Sequence, residues 1–231
     1  MTTTRGGSPP RPHANPTATG AADSAMPDVQ GSADRRRLAI DKVGVKGIRY
    51  PITLHCPVTG GQQSTIAEVN MYVGLPHHQK GTHMSRFLEV LNVHHESVRS
   101  DQVMNICHDM QQRLEAEEAH LELTFPYFID KKAPVTAQPG KLDIEVSFEA
   151  FSSDHAEDQF TMGIKVPATS LCPCSKEISA YGAHNQRCEI EVRVRFRDGV
   201  FMWIEELFEV VEAGASAPVF AVLKRPDEKW V

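Results

Sequence analysis

No run of about 18 apolar residues occurs in this 231-residue chain, so no membrane-spanning helix is expected. The first residues, "MTTTRGGSPPRPHANPTATGAADSAMPD", lack the apolar core of a secretory signal. Cationic excess is lacking too. Lys and Arg number 24 against 30 Asp and Glu, a net charge of −6. A general nucleic-acid binder needs a basic surface to neutralise phosphates, so that class is disfavoured, and any site for a small anion must be a local basic pocket. A disulfide framework is also missing. The five cysteines, Cys56, Cys107, Cys172, Cys174 and Cys188, are odd in number and irregular in spacing. Reduced thiols and a cytoplasmic location fit them better. No internal repeat of about 20–50 residues stands out.

What is present is an ordinary globular composition: 41% apolar and 23% charged residues, enough for a packed core. Residues 1–38 are rich in Thr, Gly, Pro, Ala and Ser, and read as a disordered tail ending in Arg35, Arg36 and Arg37. Residues 39–231 read as the folded domain. Strands are expected at 43–55 and 65–75, joined through Gly60 and Gly61 as a hairpin, then at about 120–129, 142–151, 159–167 and 188–197, with a short one at 218–223. In the segment 142–149, Leu142, Ile144, Val146 and Phe148 alternate with charged or polar residues, the pattern of an antiparallel sheet with one wet face. Arg193, Arg195 and Arg197 share the polar face of 188–197. Helical spacing appears at 82–93, with Phe87, Leu88 and Leu91 on one face. It recurs at 101–118, where Ser100 is a candidate cap and Val103, Ile106, Cys107, Met110 and Leu114 form the stripe, and at 202–212. Grouped helices and hairpin-like strand pairs predict an α+β domain with an antiparallel sheet.

The chemistry concentrates in "SLCPCSKEISAYGAHNQR", residues 170–187. Cys172 and Cys174 are too close for an easy disulfide, which needs Cα atoms about 4.4–6.8 Å apart and a specific torsion. Pro173 predicts an extended bend with the two thiols on opposite sides. Gly182 lets the chain turn tightly, so that His184 can return toward the cysteines. Cys and His with one carboxylate make a three-ligand metal site with an open position. The spacing leaves alternatives open: a structural zinc site of Cys172, Cys174 and His184, a reactive thiolate, or a histidine with a local hydrogen bond. The adjacent pairs His77–His78 and His94–His95 diverge on regular backbone and read as loop residues.

Four stretches, "GQQSTIAEVNMYVGLP", "QKGTHMSRFLE", "SLCPCSKEISAYGAHNQR" and "LKRPDEKWV", resemble the prokaryotic GTP cyclohydrolase IB family, over about residues 40–231. The resemblance implies a tunnelling fold (T-fold), an antiparallel sheet with helices on one side that closes into a barrel by oligomerisation, usually as a homotetramer. It implies metal-dependent hydrolysis of GTP to 7,8-dihydroneopterin triphosphate and formate, the first step of folate and pterin biosynthesis. The metal is manganese, iron or zinc. By position its ligands are Cys172, His184 and Glu228, with Asp227 as the rival carboxylate. Cys172 and His184 are the catalytic pair, and Cys174 is either a proton-transfer aid or a structural thiol. His83 is placed at a helix start, to meet phosphate or a neighbouring subunit. Lys80, Arg86, Lys176 and Arg187 are candidates for the triphosphate. Members of the family continue past the "RPDEK" stretch with an acidic guanine anchor and late histidines. A chain stopping at Val231 is therefore expected to be C-terminally truncated. The alternative is a catalytically silent T-fold module that oligomerises or binds a pterin.

Overall fold

The computed structural model describes residues 32, 38–56, 60–180, 185–197 and 200–231. The alternating stretches form one six-stranded antiparallel sheet in chain order. Its strands are β1 (Ile40–Cys56), β2 (Gly61–Leu75), β3 (Glu118–Lys132), β4 (Pro139–Ser153), β5 (Gln159–Leu171) and β6 (Asn185–Phe196). The helices are α1 (Met84–His94), α2 (Val103–Arg113), α3 (Pro173–Ile178), α4 (Ile204–Gly214) and α5 (Arg225–Trp230). The architecture is α+β with an antiparallel sheet, as the alternation predicts. The tail expected over 1–38 falls outside the described residues, except for Ser32 and Leu38.

One face of the sheet is apolar because every second strand residue is. Val69 and Met71, Leu121 and Leu123, Val146 and Phe148, and Met162 and Ile164 are all buried there. Three helices cover that face. Phe87, Val90 and Leu91 from α1, Val103, Ile106, Cys107 and Met110 from α2, and Ile204, Leu207, Phe208 and Val211 from α4 join the same core. Burying a side chain of this size contributes about 1.5–3 kcal/mol before the entropy of ordering is set against it. The opposite face is wet and carries Glu68, Glu145, Glu189 and Arg195.

Four local expectations need correction. Leu88 faces out, 42% exposed, and Val90 takes its place in the core. The helix expected over 101–118 stops at Arg113, because Glu115 adopts a left-handed φ of 54° and Glu118 already opens β3. Ser100 does not cap that helix. It begins a short 3-10 turn, Ser100–Gln102, and Gln102 occupies the cap position. Finally, 218–223 is not a strand.

That last difference shapes the molecule. Pairing of β4 with β5 runs from Phe151–Gln159 to Glu145–Lys165 and goes no further. Beyond it the two strands part, and residues 216–222 fill the wedge between them. The Ser216 N–H donates to the Thr169 carbonyl at 3.2 Å. Its Oγ accepts from the Leu171 N–H at 3.0 Å. Thr169 Oγ1–H donates to the Ala217 carbonyl at 2.8 Å, and Thr169 and Ala217 form an isolated bridge. On the other side Ala221 and Val222 press on β4 at Gly140, where an added Cβ would lie 3.1 Å from the Ala221 Cβ. By register, this split end also carries the β3–β4 turn and the junction from β5 through α3 to β6.

Candidate active site

Leu171 pairs with Asn185 across β5 and β6. These are the chain neighbours of Cys172 and His184, so the ladder ties together the two ends of the segment that carries the motif. His184 itself, with Tyr181, Gly182 and Ala183, lies outside the described residues. Cys172 follows the last residue of β5 and is the N-cap of α3, with extended backbone (φ −81°, ψ 114°). Pro173 occupies the first helical position, where its fixed φ suits a helix start and its missing N–H is not needed. The expected extended bend is therefore a helical turn. The thiols do not point to opposite sides either. The side chain and N–H of Ser175 hold the Cys172 thiol below its ordinary pKa, and Cys174 adds to the same effect. Cys172 is half-buried and Cys174 exposed. A reachable sulfur biased toward thiolate is the form that binds a soft or borderline metal.

The two candidate carboxylates on α5 differ sharply in environment. Asp227 is fully buried and Glu228 is exposed. Asp227 Oδ1 accepts the N–H of Val135 at 2.9 Å and of Thr136 at 2.8 Å. Its Oδ2 accepts Thr136 Oγ1–H at 2.7 Å and the Lys224 N–H at 2.9 Å. Burial alone would raise its pKa. Those bonds outweigh burial and hold the carboxyl far below the usual range. Two oxygens with four donors have no lone pair left for a metal. Glu228, the next residue, is exposed, and its side chain accepts no hydrogen bond among the described residues; Glu177 on α3 is also exposed at this end. Among the described residues no three His, Cys, Asp or Glu side chains gather as a ready cation cage. The two described donors, Cys172 and Glu228, are of suitable type, and they flank the split.

The proposed substrate residues separate into two groups. Lys176 is exposed on α3, and Arg187 is exposed near the start of β6, paired with Thr169. Arg187 lines a groove of about 430 Å³ on the helix-free face together with Arg49, Lys165, Glu68, Glu145 and Glu189. His83 is elsewhere. It is the N-cap of α1, whose first turn is held against the end of α2 by Arg86 Nη1 donating to the Arg113 carbonyl at 2.8 Å. That is the opposite end of the sheet, beside the start of β3. The strand rise makes the separation from the Cys172 end roughly 40 Å. Sequence reasoning missed Thr136 and Ser216 altogether. No local signal marks them, because their partners lie 91 and 45 residues away.

Fold and site together define an α+β protein with an antiparallel sheet whose split end carries a half-buried thiol, Cys172, and an exposed carboxylate, Glu228. The family model described as type I GTP cyclohydrolase folE2 matches residues 26–231, and the chain belongs to this family. It is similar to the GTP cyclohydrolase FolE2 of Magnetococcus marinus, 54% identical over 206 residues, covering 89% of this chain and 76% of that protein. The FolE2 of Azoarcus sp. is 50% identical over 90% of this chain and 76% of its own. That of Geotalea uraniireducens is 52% identical over 89% and 74%. Among solved structures, the uricase of Arthrobacter globiformis overlays with a TM-score of 0.38 at 9% identity over 75% of this chain and 66% of that one, too loose a likeness to bear on function.

Proposed function

We propose that the chain hydrolyses GTP to 7,8-dihydroneopterin triphosphate and formate, as the entry step to folate and pterin biosynthesis. Membership of the type I GTP cyclohydrolase family supports the reaction. The observation that carries the site assignment is Cys172. It is reachable and held below the ordinary thiol pKa at the split end of the sheet, where Glu228 is also exposed. Cys172, His184 and Glu228 would hold a divalent ion, manganese, iron or zinc, which when bound supplies Lewis acidity. Cys172 serves as the anionic anchor, and Ser175 and Cys174 lower the pKa of its thiol. Lys176 and Arg187 supply cations for the triphosphate, and guanidinium suits phosphate oxygens in particular. His184 is the second catalytic group.

His83 enters this site from a neighbouring copy. In one chain it lies at the far end of the sheet, and both outer strands, β1 and β6, have one side unpaired by any other strand described. Edge-to-edge joining of such sheets into a barrel is the tunnelling fold, and a homotetramer is the assembly we propose. A cytoplasmic location fits five free cysteines. The test is turnover of GTP by the manganese-reconstituted protein. Formate release and, after oxidation, pterin fluorescence are scored together. Absence of both from a folded, metal-loaded sample overturns the reading.

A further inference from the structure

The β3–β4 turn adopts a costly backbone, and the seat it forms is filled by the chain itself. Ala137 has a φ of 54°, a left-handed value that a residue with a Cβ seldom takes. Its N–H donates to the Ala133 carbonyl at 3.1 Å, and the Ala133 N–H to the Gln138 carbonyl at 2.9 Å. The turn so made points two consecutive N–H groups, those of Val135 and Thr136, at one spot, an anion-binding nest. The Asp227 carboxylate sits in it. Thr136 adds its hydroxyl and Lys224 its N–H, so all four donors converge on one fully buried side chain.

Helix α5 has six residues, too few to stand alone in water. Asp227 is its one buried residue. Arg225, Pro226, Glu228, Lys229 and Trp230 are all exposed. The pose of α5 therefore hangs on the seat. We propose that Asp227 and Thr136 are positioning residues for metal binding: the seated Asp227 fixes α5 so that the next residue, Glu228, is presented toward the Cys172 end of the sheet. This inference rests on the reading of Glu228 as a ligand. It assigns to Asp227 no contact with the ion, only control of the residue that makes one.

The experiment measures equilibrium binding of Mn²⁺ to the full-length protein by the electron paramagnetic resonance of the free ion. Four variants are compared with the parent: Glu228→Gln, Asp227→Asn, Thr136→Ala and Thr136→Ser. Asp227→Asn and Thr136→Ala should weaken Mn²⁺ binding about 10–100-fold, the usual effect of removing a group that orients a ligand, while far-ultraviolet circular dichroism stays unchanged. Thr136→Ser keeps the hydroxyl and should bind within about threefold of the parent. Saturating Co²⁺ should still give a sulfur-to-metal charge-transfer band in Asp227→Asn, because Cys172 is untouched. Glu228→Gln separates the two ideas. If it binds Mn²⁺ like the parent, the ligand reading falls and the inference with it. If it weakens binding but Asp227→Asn and Thr136→Ala do not, the inference alone is overturned. Should Asp227→Asn fail to fold, the threonine pair decides, and parental affinity in Thr136→Ala overturns the proposal.

Discussion

At the residue scale the five cysteines differ in exposure: Cys56 and Cys107 are buried, Cys172 and Cys188 half-buried, and Cys174 exposed. Cys107 is fully buried on the sheet-facing side of α2, and burial pushes its thiol up to about 11. Cys172 is pulled the other way by Ser175 and Cys174. The thiolate is the nucleophile, so reactivity follows these shifts. In the folded, metal-free protein near pH 7, iodoacetamide should label Cys172 before Cys174, and leave Cys107 unmodified until the chain unfolds. Peptide mass spectrometry reads the order, and early labelling of Cys107 would contradict it. Replacement of Cys172 should separate activity from stability. Cys172→Ala removes a half-exposed cap residue and no core volume, so the melting profile should hardly move. Formate release should drop by about two orders of magnitude or more, the scale on which single reaction-site groups are felt. Cys172→Ser should fail almost as badly, because a hydroxyl is a poor anionic ligand at neutral pH. Near-normal turnover by the alanine variant would remove this cysteine from the site.

Elements with long-range alternation were legible from residues alone. Leu142, Ile144, Val146 and Phe148 announce β4, and the buried stripe of α2 is readable at its helical spacing. What stayed hidden was decided by partners far along the chain or by single backbone angles. Glu115 ends a helix inside a run of good helix formers, Glu115, Ala116, Glu117 and Glu118. Residues 218–223 look like a strand, yet they fill the wedge where β4 and β5 part. Cys172 is visible as a motif, whereas the seat for Asp227 joins residues 91 and 92 positions apart and has no local signature. The seat carries a pH signature of its own. A carboxylate whose pKa is depressed on folding adds stability that is complete above the unfolded value, about 3.9 for aspartate, and is lost as pH falls through the folded value. The stability gap between the parent and Asp227→Asn should therefore be widest near neutrality and narrow as pH drops below about 4. Urea unfolding at pH 7 and at pH 3.5 gives the comparison; a gap that widens in acid would show that the carboxylate is not the anion in the seat.

At the scale of the whole molecule the decisive fact is that His83 and Cys172 lie at opposite ends of one sheet. A side chain cannot cross roughly 40 Å, so a site that uses both must draw them from two copies. Cys172 and Glu228 share an end, so one copy can supply both. This asymmetry predicts which inactive subunits rescue one another. His83→Ala and Cys172→Ala chains, co-expressed so that they share oligomers, should regain activity. In a random equal mixture half of the positions supply an intact Cys172 and half an intact His83, so about one quarter of the sites are whole. A mixture of Cys172→Ala with Glu228→Gln should stay as inactive as either parent, because no arrangement of those chains restores an intact pair from one subunit. The measurement is formate release per subunit against the ratio of the two chains, with the oligomer size followed by light scattering. Recovery in the first mixture but not the second is the expected pattern. Activity of the His83→Ala chain by itself would place His83 outside the site, and no recovery from two inactive chains would mean that one copy must supply both groups. Recovery in the second would mean that Cys172 and Glu228 serve a shared site from different subunits.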